Sequence, residues 1–466
     1  MRHAVLLAAL LFGCSTSKTD DTPGDDSPDG GVDTPSIELH AYQRGTCALE
    51  NGHAKCWGWG ESGALGDGAI DDVGDQEQEM GDALPVVDVG TDRTVLQISG
   101  GSETNCALLD DGGVKCWGWN AHGNLGLGYE TVPNDPQMQP ANLGDVPGEM
   151  GDALPYVKLG TGVSAKALST GPFHACVITN DDRVKCWGDK TSVGVGDNDH
   201  GHLGDEPGDM GDNLPYAKLG EGRTAKQIFA MDTRTCATLD NDQLRCWGNN
   251  YGGILGLGNT NIYGDTDATA GDNIPYVDLG AGRTALQVVG GDSHTCALLD
   301  DHTVKCWGGG QGIYNQGNLG YGDKTIRGDE PNEMGDNLPV VDLGAGRTAV
   351  QLAAGTGHTC ALLDDRTVKC WGEAQYGALG YQDPWARGDA PDEMGDKLPA
   401  VNLGEGRTAL SISAGGTHTC AVLNDQTVKC WGGNSRGILG TGDEQDRGNV
   451  PYTMGARLPV TQLGGW

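Results

Sequence analysis

A chain of 466 residues with 79 glycines and only 3 phenylalanines suits many short strands and tight turns rather than a few large helices. Its 30 basic residues stand against 65 acidic ones, a net charge of −35, so nucleic acid and anionic membrane surfaces are poor partners for the body of the protein. The first predicted element is residues 1–13. Arg2 and His3 precede an apolar run from Ala4 to Phe12 that is too short to cross a bilayer as a helix, which reads as a signal peptide.

That run ends Leu11-Phe12-Gly13-Cys14, which resembles a bacterial lipobox. The resemblance implies cleavage before Cys14, acylation of its thiol and a lipid anchor in the bacterial cell envelope, at the outer membrane or cell surface. An ordinary secretory peptide with an incidental cysteine is the alternative. Either route delivers the chain to a compartment where disulfides persist. Residues 14–35 are an acidic linker rich in Asp, Ser, Thr, Pro and Gly. They have no apolar periodicity and are expected to be disordered.

From Ser36 to Trp466 one unit recurs seven times, at intervals of 60 to 70 residues, as in His294-Thr295-Cys296-Ala297-Leu298 followed by Val304-Lys305-Cys306-Trp307-Gly308. If Cys296 faces Cys306 in an antiparallel hairpin, Asp300, Asp301 and His302 remain as a three-residue loop. The first unit is one residue shorter, and the same register leaves Asn51-Gly52, a favoured two-residue turn. Loop and spacing change together so that the cysteines stay opposed, within disulfide reach. The predicted pairs are Cys47–Cys56, Cys106–Cys116, Cys176–Cys186, Cys236–Cys246, Cys296–Cys306, Cys360–Cys370 and Cys420–Cys430. Zinc is the competing reading of such cysteines, but the pairs lack C-x-x-C spacing.

Each unit also carries a strand such as Thr348 to Ala354 and a short Leu-Pro strand such as Leu338-Pro339-Val340-Val341. Four short antiparallel strands per unit predict a propeller blade, and seven blades a closed ring. The pattern His418-Thr419-Cys420-Ala421, Val428-Lys429-Cys430-Trp431-Gly432 and Gly437-Ile438-Leu439-Gly440 resembles the regulator of chromosome condensation repeat, in its exported, disulfide-containing form. That resemblance implies an all-β, seven-bladed propeller. The first unit has no Leu-Pro strand before it, whereas Leu458-Pro459-Val460-Thr461 is surplus at the other end. The C-terminal strand is therefore expected to complete the first blade and close the ring.

Between hairpin and Leu-Pro strand lies an acidic loop, most often with Met-Gly-Asp, at Met80, Met150, Met210, Met334 and Met394. These loops are expected to project from one side as a partner-binding face, unless the methionines plug the grooves between blades. Residues 129–143 and 309–316 break the period. Their Tyr129, Glu130, Asp135 and Tyr314 are the candidate partner contacts. Asp197 and Asp199 offer a weak calcium candidate, with a solvated acidic loop as the plainer reading. His174, His294, His358 and His418 occupy equivalent places, for which a structural hydrogen bond is favoured over a metal ring. Lys55, Lys115, Lys185, Arg245, Lys305, Lys369 and Lys429 are expected to reach outwards to the rim. No phosphate loop, nucleophile elbow or zinc-protease motif occurs, so no catalytic residue is nominated. The expected function is a monomeric envelope scaffold that binds a protein or glycan. Nucleotide exchange on a small GTPase, suggested by the family's name, and an exported glycan-active enzyme are the alternatives.

Overall fold

The seven hairpins form in the predicted register, and all seven disulfides pair as expected, with Cα–Cα separations of 4.0–4.1 Å. They belong to a computed structural model that describes residues 35–128, 142–196, 201–309 and 316–466. The third loop residue takes a left-handed conformation whether it is Gly112 (φ 77°), Asp182 (φ 64°) or His302 (φ 62°). The turn geometry therefore outranks the residue's own preference. Residues Pro35–Trp466 form one compact unit. Among the described residues there are no α-helices, only three-residue 3-10 turns.

Each repeat gives one antiparallel sheet of three strands in chain order. In the fifth these are Ala285–Gly290, His294–Leu299 and Val304–Gly308. The seven sheets are the blades of a propeller. The first strand of every blade lines a central channel of about 320 Å³, with Tyr42, Thr170, Met231, Val289, Ala353 and Ser413 among its walls. The core lies between blades rather than within them. One apolar cluster, for example, joins Val114 and Leu125 of the second blade to Val177 and Trp187 of the third.

The fourth strand differs from expectation. The Leu-Pro segment runs along the outer strand but joins it through one backbone hydrogen bond, such as Val341 N–H to Val304 C=O at 2.8 Å. Proline has no N–H to give and a regular ladder never develops. Each such segment belongs to the blade before it, since Val87 bonds Ala54 and Thr461 bonds Val428. The C-terminal strand is thus the outer edge of the seventh blade, not the fourth strand of the first. It still serves ring closure, because the first blade grips it: Lys55 Nζ donates to Leu463 and Gly465 carbonyls, both at 2.7 Å, and Gly81 N–H donates to Gln462 C=O.

The same grip recurs at the other seams. Lys305 Nζ donates to Leu279 C=O of the preceding blade and to Gly335 C=O of its own Met-Gly-Asp turn. Asp336 of that turn accepts from Ala281 N–H across the seam. The lysines therefore do not reach into solvent. They are 2–8 % exposed, and burial lowers their pKa values against the pull of neighbouring aspartates. The Met-Gly-Asp loops are likewise seam hooks, and their methionines fill grooves: Met334 is buried beside Gly256.

The deepest seam element is the tryptophan of Cys-Trp-Gly. All seven are buried, and each indole N–H donates to a loop carbonyl of the preceding blade, as Trp247 to Ser192 (2.9 Å) and, across the closing seam, Trp57 to Ile438 (3.1 Å). At four seams the same carbonyl collects a second chain. His174 Nε2 lies 2.8 Å from Thr235 Oγ1, whose hydroxyl donates to Ser192 C=O. The threonine has spent its proton, so the imidazole proton sits on Nε2. His294, His358 and His418 bond Thr359, Thr419 and Thr46 in the same way. The tryptophan also explains the last glycine of Gly-x-Leu-Gly, because a Cβ on Gly256 would lie 2.7 Å from Trp307 Nε1.

Two predictions follow from the seams. Gly256→Ala (φ 70°) should lower the free energy of unfolding by ~3 kcal/mol or more, since backbone strain and overpacking add. Gly282→Ala (φ 72°), with nothing within 4 Å, meets the strain alone and should lose only ~1–2 kcal/mol. Urea denaturation of both variants measures the difference, and equal losses would refute the role of tryptophan contact.

Burial lowers the pKa of His174 and His358 to about 4 and of His294 and His418 to about 3. Between those values and the unfolded value of about 6.5, the unfolded chain binds more protons than the folded one. Their stabilisation is complete above pH 6.5 and is lost as pH falls towards 4, at about 1.4 kcal/mol per pH unit for each histidine. His358→Gln should flatten that slope over pH 6.5–4.5 relative to the parent. An unchanged slope would show that this imidazole takes up its proton in the folded state.

Candidate functional site

One face of the propeller breaks the sevenfold repetition. There, at the channel mouth, the turns between inner and middle strands meet the residue that follows each Trp-Gly pair. The backbone hydrogen bond at this point is constant: Trp59 N–H donates to Arg44 C=O, Trp119 to Glu103, Asp189 to Phe173, Asn249 to Thr233, Gly309 to Ser293, Glu373 to Gly357 and Gly433 to Thr417. A single fixed peptide geometry therefore presents Trp, Trp, Asp, Asn, Gly, Glu and Gly. Rigid scaffolds that vary side chains at fixed positions are built for recognition.

The first three blades make an aromatic sector. Arg44 stacks over Trp59 at 3.8 Å and ion-pairs with Glu103, while Arg436 of the seventh blade lies over the same ring at 5.2 Å. Trp119, Phe173 and His122 meet edge to face, with centroids 5.3–6.4 Å apart. Apart from the exposed Arg436, these side chains are half-buried, which leaves part of each ring to a partner.

Blades four to six make an acidic sector of Asp232, Asp292 and Glu373. Loss of surrounding water, and secondarily Asp232, push the Asp292 carboxyl up to about 6. Burial likewise raises Asp232 and Glu373. Beneath them lies Arg234, where other blades carry the seam histidine. It is fully buried and donates to the carbonyls of Gly291 and His294 and to Thr295 Oγ1 (3.0 Å). Burial lowers its pKa to about 10, opposed by Asp232 and Asp292. Its donors go to backbone carbonyls and to Thr295, so Arg234 acts on the carboxylates above it through its charge.

The residues nominated from sequence as partner contacts, Tyr129, Glu130, Asp135 and Tyr314, lie outside the described residues. So do the calcium candidates Asp197 and Asp199 and the lipidation candidate Cys14. The four equivalent histidines are dispersed over four seams and do not converge. Among the described residues no group of three or more His, Cys, Asp or Glu is arranged to hold a metal ion. Arg44, Trp59, Trp119, Phe173, Asp232, Asp292 and Glu373 were not anticipated. Their signal was present where the repeats stop agreeing: immediately after Trp-Gly for Trp59, Trp119 and Glu373, and in the turn before the middle strand for Arg44, Phe173, Asp232 and Asp292.

The repeat described as "Regulator of chromosome condensation (RCC1) repeat" matches residues 95–124, 165–201, 286–316, 349–378 and 410–438. The ultraviolet-B receptor UVR8 of Arabidopsis thaliana is 27% identical over 417 residues, which is 88% of this chain and 79% of the receptor. The human E3 ubiquitin-protein ligase HERC2 is 26% identical over 353 residues, 75% of this chain but only 6% of the ligase. Among solved structures, Prp20p from Saccharomyces cerevisiae superposes with a TM-score of 0.59 at 18% identity, covering 88% of this chain and 86% of Prp20p. That last likeness concerns the fold.

Arg234→Met should destabilise the protein by ~3–5 kcal/mol, because it leaves carbonyls unpaired and two carboxylates without their cation. Arg234→His should cost clearly less, since it restores the donor that reaches Thr295 in the pattern of the other seams. Thermal and urea unfolding of the two variants decide this. Equal losses would mean that the cation rather than the seam bond is what this position requires.

Proposed function

We propose that this propeller of regulator of chromosome condensation repeats is a non-catalytic, envelope-anchored scaffold that captures a protein partner on its non-repeating face. The supporting observation is the constant backbone bond that displays an aromatic sector and an acidic sector side by side. Arg44, Trp59, Trp119 and Phe173 suit an apolar segment with an acidic or carbonyl-rich edge. Asp232, Asp292 and Glu373 suit a lysine or arginine placed at the channel mouth. With a net charge of −35, the whole body also steers basic proteins towards it. The solved neighbour Prp20p is described as binding Gsp1p and histones, and this supports a protein partner over a glycan. Nucleotide exchange is not proposed, because the seven disulfides and the leader peptide expected from the sequence argue for a compartment without small GTPases. Anchoring through Cys14 would hold the propeller at the membrane by its acidic linker.

The test is capture of partners from envelope extracts by the full chain, followed by affinity measurement for the protein recovered. Asp232→Asn/Asp292→Asn and Trp59→Ala/Trp119→Ala should each weaken binding about tenfold or more, ~1.4 kcal/mol. Only the aspartate contribution should fade in high salt. Full affinity in both double variants would place recognition elsewhere.

A further inference from the structure

Beside the aromatic sector, two loop histidines of different blades point at each other. His122 follows Trp119 in the second blade, and His202 precedes the backbone pair Leu203–Gly188 in the third. Their nitrogens His122 Nδ1 and His202 Nε2 are 3.1 Å apart, with ring centroids at 4.5 Å and planes at 74°. Two nitrogens bound at about 2.0–2.1 Å to a tetrahedral ion stand about 3.3 Å apart. The pair is thus already near the separation at which an ion replaces the shared proton.

The surroundings hold that pair in place. His122 N–H donates to Asn124 Oδ1, and the His122 ring is wedged edge to face between Trp119 and Phe173. Leu203 N–H and Gly188 C=O pin the chain next to His202. The other nitrogen of His202, Nδ1, faces Asp189 Oδ1 at 3.8 Å and has no hydrogen-bond partner among the described residues. A carboxylate behind the remote nitrogen is the arrangement that fixes an imidazole's tautomer and raises its basicity as a metal ligand.

We propose that His122 and His202 form a two-histidine clip for a borderline divalent transition metal, Zn²⁺, Cu²⁺ or Ni²⁺, with Asp189 as the positioning residue behind His202. Imidazole ligands select these ions over Ca²⁺ and Mg²⁺, which take oxygen. No third ligand among the described residues completes the set. The remaining positions are open to water or to another donor. Such an open clip on a binding face exchanges its metal and can bridge to a partner. Its ligands bind as neutral imidazoles, so protons compete with the metal for them.

The experiment is titration of the full chain, disulfides intact, with Zn²⁺ by calorimetry and with Cu²⁺ by electron paramagnetic resonance at pH 7.5. One equivalent should bind at micromolar strength, and the copper spectrum should carry hyperfine coupling from two nitrogens. His122→Ala and His202→Ala should each weaken that equivalent at least tenfold and remove one nitrogen. Asp189→Asn should keep both nitrogens but weaken binding about tenfold. His53→Ala, a change at an exposed histidine of the first blade, should alter neither readout. The proposal is overturned if the His122→Ala/His202→Ala variant, folded by circular dichroism, binds as the parent does. It is equally overturned if the parent shows no equivalent tighter than millimolar, or if Ca²⁺ competes at equal concentration.

Discussion

The architecture depends on the buried indole N–H that crosses each seam. Blades of three short strands, each with a fourth segment held by one hydrogen bond, have little stability alone. Burial of a tryptophan against the next blade, with its only polar atom spent on a loop carbonyl, converts seven weak sheets into one body. The rest of the motif serves that contact. Glycine clears space for the ring, threonine shares the carbonyl, and methionine fills what remains. The disulfide lies one residue before the tryptophan and holds the hairpin that aims it. Closure needs no special latch, because Trp57 and Ile438 repeat across the first and last blades what Trp307 and Ile254 do elsewhere.

Inner strands solve a related problem. Strands of neighbouring blades diverge too far for a backbone ladder, and a glutamine bridges the gap. Gln287 donates to Leu352 C=O at 2.9 Å and accepts from Leu352 N–H at 2.8 Å, so that its amide stands in for a missing peptide. Gln97 and Gln351 do the same, while Ser169 and Ser413 reach Ala230 and Ala41 at seams without it. Polar atoms thus face the channel yet are mostly satisfied.

Sevenfold regularity spends nearly all repeated polar residues on seams, and this leaves recognition to positions that do not repeat. Arg234 shows the two demands meeting. As a seam donor it replaces histidine, and as a cation it steadies Asp232 and Asp292 above it. The acidic loops show the opposite outcome, since much of their charge is inward-looking. Glu333 Oε2 accepts N–H donors from Gly328, Asp329 and Glu330 and shapes its own turn. Their length serves the hook, not a partner.

The order and register of the hairpins, the cysteine pairing and the blade count were legible in the sequence, because each rests on contacts within about ten residues or on a simple period. The histidines' structural role could be inferred from their equivalence alone. The functions of Lys305, Met334 and Asp336 could not, since their partners Leu279, Gly256 and Ala281 sit in the neighbouring blade, 26 to 78 residues away, and no local rule encodes that distance. Nor could the placement of the C-terminal strand, which depends on which edge of which blade is open. Sequence by itself determined what repeats, because repetition is a property of the chain. Only the tertiary structure decided what meets across a seam: Trp59 under Arg436, Asp232 beside Asp292, His122 against His202. Ring closure lays Arg436 of the last blade over Trp59 of the first, and the packing of consecutive blades makes the other two pairs, through contacts that leave no period to read.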